Sequence, residues 1–247
     1  MEEQFINLTV DNIDNEHICC LIRKKSHPGI DAKKQWLKDR IKEGHVFRKL
    51  NREATVFIEY APLETAWVPV QGNHYMYLYC LWVLGKDRGK GYGRQLIEYC
   101  INDAKLKGKS GICMLGAKKQ KAWLSDQSFV KKYGFEVVDE TNSGYQLLTL
   151  SFDNTYPSFY QKAKEEIIKE QELAIYYDDQ CPYIQQSLMK IKTYCQDNRI
   201  PLSLIHITSK QQAKQLPCVF NNYAVFYQGK LQTVNLLDVT ALKRIIK

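Results

Sequence analysis

"DRGKGYGRQ", residues 87–95, sets a glycine at every second position between basic side chains. Glycine tolerates positive φ and lets another group lie against the main chain, but it is entropically costly, so a cluster at an element junction has a local reason. Ahead of it, "YMYLYCLWVLG" (residues 75–85) is aromatic and apolar enough to predict a buried strand. Behind it, Leu96, Ile97, Cys100, Ile101 and Ala104 recur at helical spacing, and Gly108 suits a helix stop. The order is strand, glycine loop, helix. A helix start leaves amide N–H groups unpaired and carries positive dipole character. Gly89, Gly91 and Gly93 beside Arg88, Lys90 and Arg94 therefore predict a cradle for an anion, phosphate by preference.

Spacing narrows the ligand. The dinucleotide fingerprint G-x-G-x-x-G and the P-loop G-x-x-x-x-G-K-[ST] both fail to fit. What stands here, Arg88-x-x-Gly91-x-Gly93, resembles the [Q/R]-x-x-G-x-[G/A] signature of the GNAT superfamily of N-acetyltransferases. The context agrees: a strand "GICML" follows at 111–115, and "FVKKYGFEVVDE" (129–140) is similar to the family's second landmark, a short helix ending in Gly-Phe, here Gly134 and Phe135. The resemblance implies an α/β fold with a mixed, mostly antiparallel sheet flanked by helices, and acetyl-CoA as co-substrate. It places Leu81, Trp82, Val83 and Leu84 along the pantetheine and acetyl carbonyl. It places Arg88, Gly89, Lys90, Gly91, Tyr92, Gly93 and Arg94 around the pyrophosphate.

Composition bounds the alternatives. A chain of 247 residues is long enough for one large domain or two ordinary ones. No apolar run approaches the roughly 20 residues that span a bilayer, and "MEEQFINLTV" lacks the layout of a signal peptide, so a cytoplasmic protein with no membrane partner is expected. Eight cysteines without a C-x-x-C pair or a Cys/His cluster predict reduced thiols and no metal. The net charge of +8 is spread along the chain and interleaved with acids, which argues against nucleic acid as a partner. The denser "AKKQKAWLSD" (117–126) reads as a solvated loop or as a helper for the nucleotide phosphates.

Along the chain the patterns predict a strand at 5–10, helices at 14–24 and 31–43, and strands at 46–51, 54–61 and 75–84. After the glycine loop come a helix, a strand, a short helix and a strand pair at 135–140 and 145–152. This order resembles a GNAT domain over residues 1–152. Residues 153–171 read as a connector. From 172 to 247 the order strand, helix, strand, short helix, hairpin turning at Gly229, helix resembles the thioredoxin fold, and such a pairing resembles the YoaP-type branch of the superfamily. Cys181 sits where the first of these strands meets its helix, with Ile184 where a second active cysteine would be. Cys181 is either a reactive thiol or a structural vestige.

Acetyl transfer needs a primary amine freed of its proton, polarisation of the thioester carbonyl, and departure of the CoA sulfur. In many GNAT relatives a tyrosine four residues before the glycine of the Gly-Phe landmark supplies the acid; here that position is Val130, and Tyr133, nearby on another helical face, is a candidate acid after a register shift, against a packing role. Glu59 and His74 are candidate bases by type, each against a bland reading as a surface carboxylate or a core histidine. Glu64 is a further polar residue on that side. Tyr79 and Cys80, adjacent on one strand, are expected to point to opposite faces. Two rival functions stand beside transfer to an unidentified small-molecule or peptide amine: a silent CoA-binding sensor, and a thiol redox protein using Cys181.

Overall fold

The computed structural model describes residues 4–18 and 27–247. Its first sheet has seven strands: β1 (Phe5–Asn7), β2 (Val46–Leu50), β3 (Val56–Pro62), β5 (Tyr75–Val83), β6 (Gly111–Ala117), β7 (Glu136–Glu140) and β8 (Tyr145–Ser151). The spatial order is β1-β2-β3-β5-β6-β8-β7, and every pairing is antiparallel except β5 with β6. The short strand β4 (Val70–Gln71) lies outside this sheet and pairs with β9 (Ser158–Phe159). A parallel pair needs a crossover, and α2 (Tyr92–Leu106) supplies it. Of the residues that the helical spacing marks, Leu96, Ile97, Cys100 and Ala104 are buried and Ile101 partly so, and they join a core with Met76, Leu78 and Val130 of α3 (Gln127–Lys131) on one face of the sheet.

The other face is covered differently. Helix α1 (Gly29–Lys42) buries Gly29, Lys33, Trp36 and Leu37, the i, i+4, i+7, i+8 stripe of an amphipathic helix. Beside it sits the second sheet, β11 (Leu202–His206), β10 (Leu173–Tyr177), β12 (Tyr223–Tyr227) and β13 (Lys230–Thr233), in that spatial order. β10 and β11 are parallel, and the other two pairings are antiparallel. Helices α4 (Tyr183–Asp197) and α6 (Val239–Ile245) pack on one face of it. Its opposite face, with α5 (Lys210–Lys214), contributes Ala174, Phe226, Ala213 and Phe220 to the same hydrophobic core as Trp36, Phe47, Tyr77 and Leu115 of the first half. Both sheets thus share one core.

Two sequence expectations need correction, and the connector gains detail. The helix expected at 14–24 is absent from its described part: residues 14–16 are turn and bend, and 19–24 lie outside the described residues. Reciprocal bonds between Thr9 and Asn12, each backbone N–H to the other's side-chain oxygen, close a turn there instead. The strand expected at 5–10 ends at Asn7 for the same reason. The connector at 153–171 is structured: β9 pairs with β4, residues 161–164 form a 3₁₀ turn, and Ile167 bridges to Lys230. Among the described residues no helix is long and apolar enough to cross a membrane.

The halves meet tightly where α1 begins. A Cβ added at Gly29 would run into the backbone carbonyl of Pro182, which precedes α4. Helix propensity alone would make Gly29→Ala stabilising by up to about 1 kcal/mol. The close backbone approach predicts the opposite sign, a loss of about 1–3 kcal/mol typical of overpacking. Urea unfolding of the full chain decides between the two, and a stabilised variant would refute the contact.

Candidate active site

The site begins with an irregularity in β5. Glu59 of β3 stands opposite Cys80, and its neighbour Tyr60 stands opposite Leu78, so Tyr79 is an extra residue in the ladder. A bulge shifts the phase of a strand by one. Tyr75, Tyr77 and Tyr79 face the shared core before it, and Cys80 and Trp82 face the same side after it. Met76, Leu78 and Leu81 face the opposite core. Tyr79 and Cys80 therefore lie on one face, contrary to strict alternation.

The bulge coincides with a second break. β5 pairs with β6 only over Tyr75–Tyr77 against Gly111–Cys113, while β6 continues alongside β8 to Ala117. Beyond Tyr77 the two parallel strands part. The gap opens as a cleft of about 540 Å³ that runs from β5 to the glycine loop. Every residue expected around the cofactor lines this cleft except Lys90. Gly91 holds φ at +78° as the residue before α2, and no side chain caps the helix. The first-turn amides of Tyr92, Gly93 and Arg94 thus lack intrahelical acceptors and face an open space.

Charge at the loop is arranged by Asp87, a buried residue that the sequence reading passed over. Its carboxylate accepts from Arg52 at 2.6 Å and Lys90 at 3.1 Å, and the Arg52 hydrogen bond leads in holding it below its ordinary range. Lys90 is spent on Asp87, leaving Arg88 and Arg94 on the cleft wall, Arg94 in an ion pair with Glu98 at 2.7 Å. Ser125, Asp126 and Phe129 line the cleft too. The Leu81 N–H donates to Ser125 Oγ at 3.0 Å. These three come from the loop and helix after β6, and no spacing rule links them to the glycine loop.

On the other side of β5 lies a second pocket of about 130 Å³. Trp82 and Leu84 line both cavities, so the two adjoin along the strand. Cys80 and Phe57 come from the first sheet, whereas Gln180, Cys181 and Asn222 come from the C-terminal half. Sequence patterns had no means of joining segments so far apart.

Behind Gln180 is a polar cluster that is fully buried. Lys33 of α1 forms an ion pair with Glu59, whose carboxylate is also 2.9 Å from His45 Nε2 and accepts from Gln180 Nε2 at 2.9 Å. Burial alone would raise the Glu59 carboxyl; the Lys33 ammonium and the His45 contact outweigh it and hold it below its usual value. Burial likewise keeps His45 neutral by lowering its pKa. Asp178 accepts from the Gln180 backbone N–H at 2.8 Å, its Oδ2 has no partner, and burial pushes its carboxyl well up. Burial also pushes the Cys80 thiol up.

The remaining candidates scatter. Glu59 is neither on the surface nor in a cleft, because it is consumed by the cluster. His74 is exposed at the start of β5, the opposite end from the glycine loop, with φ at +60° and its N–H on Glu64. Tyr79 is in the core, its hydroxyl accepting from the Trp67 N–H at 2.7 Å. Tyr133 packs against Phe129, and Val130 is completely buried. Cys80 and Cys181 are brought together in the second pocket. Among the described residues no group of three or more His, Cys, Asp or Glu is placed to hold a metal ion.

A family model described as a GNAT acetyltransferase domain matches residues 52–137, and one described as YoaP-like matches residues 201–244. The chain is 34% identical over 245 residues to a Bacillus subtilis (strain 168) protein named uncharacterized N-acetyltransferase YoaP, covering 98% of each. Among solved structures it is similar to a GNAT-family acetyltransferase from Desulfovibrio desulfuricans, at 15% identity and a TM-score of 0.41 over 60% of this chain and 97% of that one. A ribosomal-protein-alanine N-acetyltransferase from Brucella melitensis gives 15% identity and a TM-score of 0.43 over 60% and 99%.

The buried cluster sets a pH dependence. Glu59 and His45 bind protons less readily when folded, so their contributions to stability weaken as pH falls, His45 first and Glu59 in the carboxylate range. Asp178 has the opposite sign: its folded pKa is raised, so its contribution is present below the ordinary value near 4 and is lost as pH rises. Asp178→Asn keeps the acceptor for Gln180 and removes the titration. The variant is expected to gain stability over the parent between about pH 4 and pH 7 and to match it near pH 3. Parallel stability curves in urea titrations at these values would contradict the assignment.

Proposed function

The chain belongs to the GNAT N-acetyltransferase family that includes the Bacillus subtilis protein YoaP, and from that premise we propose how its two cavities divide the reaction. Acetyl-CoA is the acetyl donor. Its pyrophosphate lies on the first-turn amides of α2 between Arg88 and Arg94. Its pantetheine follows Leu84 to Leu81 in the gap between β5 and β6, which brings the acetyl group toward Cys80. The amine enters by the adjoining pocket. The observation that carries this reading is that the two cavities meet along one bulged strand, with Trp82 and Leu84 in the walls of both.

In the transfer the amine nitrogen attacks the thioester carbonyl carbon, the C–S bond breaks, and CoA leaves as the thiolate while the amine sheds a proton. Holding both reactants within about 3–3.5 Å supplies much of the acceleration. A thiol with an ordinary pKa near 8.5 is a stable leaving group, so the absence of a tyrosine at Val130 does not block the step. The titratable groups among the described residues lining the second pocket are the thiols of Cys80 and Cys181. Neither Glu59 nor His45 reaches it. The amine is therefore required to arrive neutral, having lost its proton to water.

The finer reading of the C-terminal half is thioredoxin-like over residues 172–247, joined to a GNAT domain over 1–152. The sheet order β11-β10-β12-β13 with helices α4 and α6 on one face supports it. In this reading Cys181 keeps the place of an active thiol but serves as pocket wall, with Ile184 beside it.

Gly91→Asp tests the donor site. Nothing lies within 4 Å of a Cβ at Gly91, and Asp tolerates positive φ better than most residues, so the fold is expected to persist. A carboxylate there opposes the pyrophosphate, and calorimetric titration is expected to show acetyl-CoA affinity reduced at least about hundredfold, because juxtaposed like charges cost several kcal/mol. Unaltered affinity would sink the assignment. The neutral-amine requirement has its own signature: kcat/KM for the amine rises about tenfold per pH unit up to the amine's own pKa. A plateau already below pH 8 would reveal a base supplied by the enzyme.

A further inference from the structure

Resting on that reading, we infer that the second pocket selects primary amines carrying one compact, uncharged apolar group about the size of a single ring. The volume sets the size. An engineered cavity of about 150 Å³ holds one benzene, so a pocket of about 130 Å³ has room between its walls for one ring.

The chemistry of the walls sets the polarity. Phe57, Trp82, Ile184 and Leu236 supply the apolar surface. The two carboxamides are tied to one another and to the cluster behind them: Asn222 Nδ2 donates to Gln180 Oε1 at 2.6 Å, and Gln180 Nε2 donates to Glu59. Lys33 and Glu59 neutralise one another behind Gln180. A second ammonium, a carboxylate or a phosphate on the acceptor would be desolvated there with no charged partner among the lining residues. Polyamines, aminoglycosides and free amino acids are disfavoured on that ground.

Trp123 sits at the mouth. It is 46% exposed and holds φ at +66°, a conformation unfavourable for a bulky aromatic residue. Its ring lies 5.7 Å from that of Tyr183, the first residue of α4. A strained, half-exposed indole leaning across from one half of the chain to the other narrows the entrance to flat, apolar groups.

The experiment uses the full chain and acetyl-CoA, with CoA release followed chromatographically so that the protein's own thiols do not interfere. Phenethylamine and cyclohexylmethylamine are compared with spermidine, an Nα-acetyl-lysine amide and glycine amide. The ring amines are expected to lead in kcat/KM by at least about hundredfold, the scale on which apolar pockets discriminate. Leu236→Trp, which fills the pocket, is expected to raise KM for phenethylamine at least about tenfold while leaving acetyl-CoA affinity unaltered. Trp123→Gly at the exposed mouth relieves the backbone strain, so it keeps or gains stability, and it is expected to raise the same KM. If acetyl-CoA binds but spermidine or the lysine amide reacts as well as the ring amines, or neither variant moves KM, this inference falls and the function reading stands. If the parent chain fails to bind acetyl-CoA, both fall.

Discussion

One extra residue in β5 is the constraint on which the site depends. Antiparallel pairing with β3 holds the strand on one side, and parallel pairing with β6 holds it on the other only as far as Tyr77. The bulge at Tyr79 reverses the alternation, so Cys80 and Trp82 turn toward the shared core and the C-terminal half. Leu81 and Val83 turn the other way, toward the cleft that leads to the glycine loop. Without the bulge, Leu81 and Val83 would occupy the face that now carries Cys80 and Trp82. The two cavities could not then share one strand as their partition.

The buried cluster around Glu59 holds that partition in register. An ion pair removed from water is a weak contributor to net stability, since desolvation offsets the attraction, but removing one member costs about 3–5 kcal/mol. Its value here is positional. Lys33 comes from α1, Glu59 and His45 from the first sheet and its approach, and Gln180 from the loop before α4. Mispacking of any of these elements leaves a charge without its partner, so the cluster penalises every arrangement except the one that places Gln180 between the pocket and Glu59. Asn222 and Cys80 are then fixed through Gln180 itself, by contacts of 2.6 and 3.8 Å.

Legibility in the sequence followed the range of the interactions. The strand, glycine loop and α2 are encoded within about thirty consecutive residues by periodicity and backbone chemistry, and the cleft residues there could be read directly. The bulge could not, because Tyr79 and Cys80 carry no glycine or proline to mark it. Glu59 reads as a surface carboxylate until Lys33, 26 residues earlier, is brought against it. Lys33 itself interrupts an apolar stripe and gives no sign of being buried. The turn at Thr9 to Asn12 defeats a helical reading through side-chain bonds that compete with the helix ladder. Ser125, Asp126 and Asn222 belong to the cavities through tertiary approach alone.

The shared core also changes what the C-terminal half is for. A module joined by a linker would bury its own apolar surface and present a polar exterior to its neighbour. Here one face of the second sheet is apolar, with Ala174 and Phe226, and Phe220 from the segment before β12, packed into the core that also contains Trp36 and Tyr77. Tyr77 adds a direct polar tie, its hydroxyl donating to Asn221 at 3.0 Å. Neither half can keep its apolar face dry alone, and the pocket wall built from Gln180, Cys181 and Asn222 is as firmly placed as β5. The first sheet has thus closed one face with a second sheet, and the second pocket is formed where the two meet. Residues of the C-terminal half line that pocket, whereas none of them lines the cleft at the glycine loop.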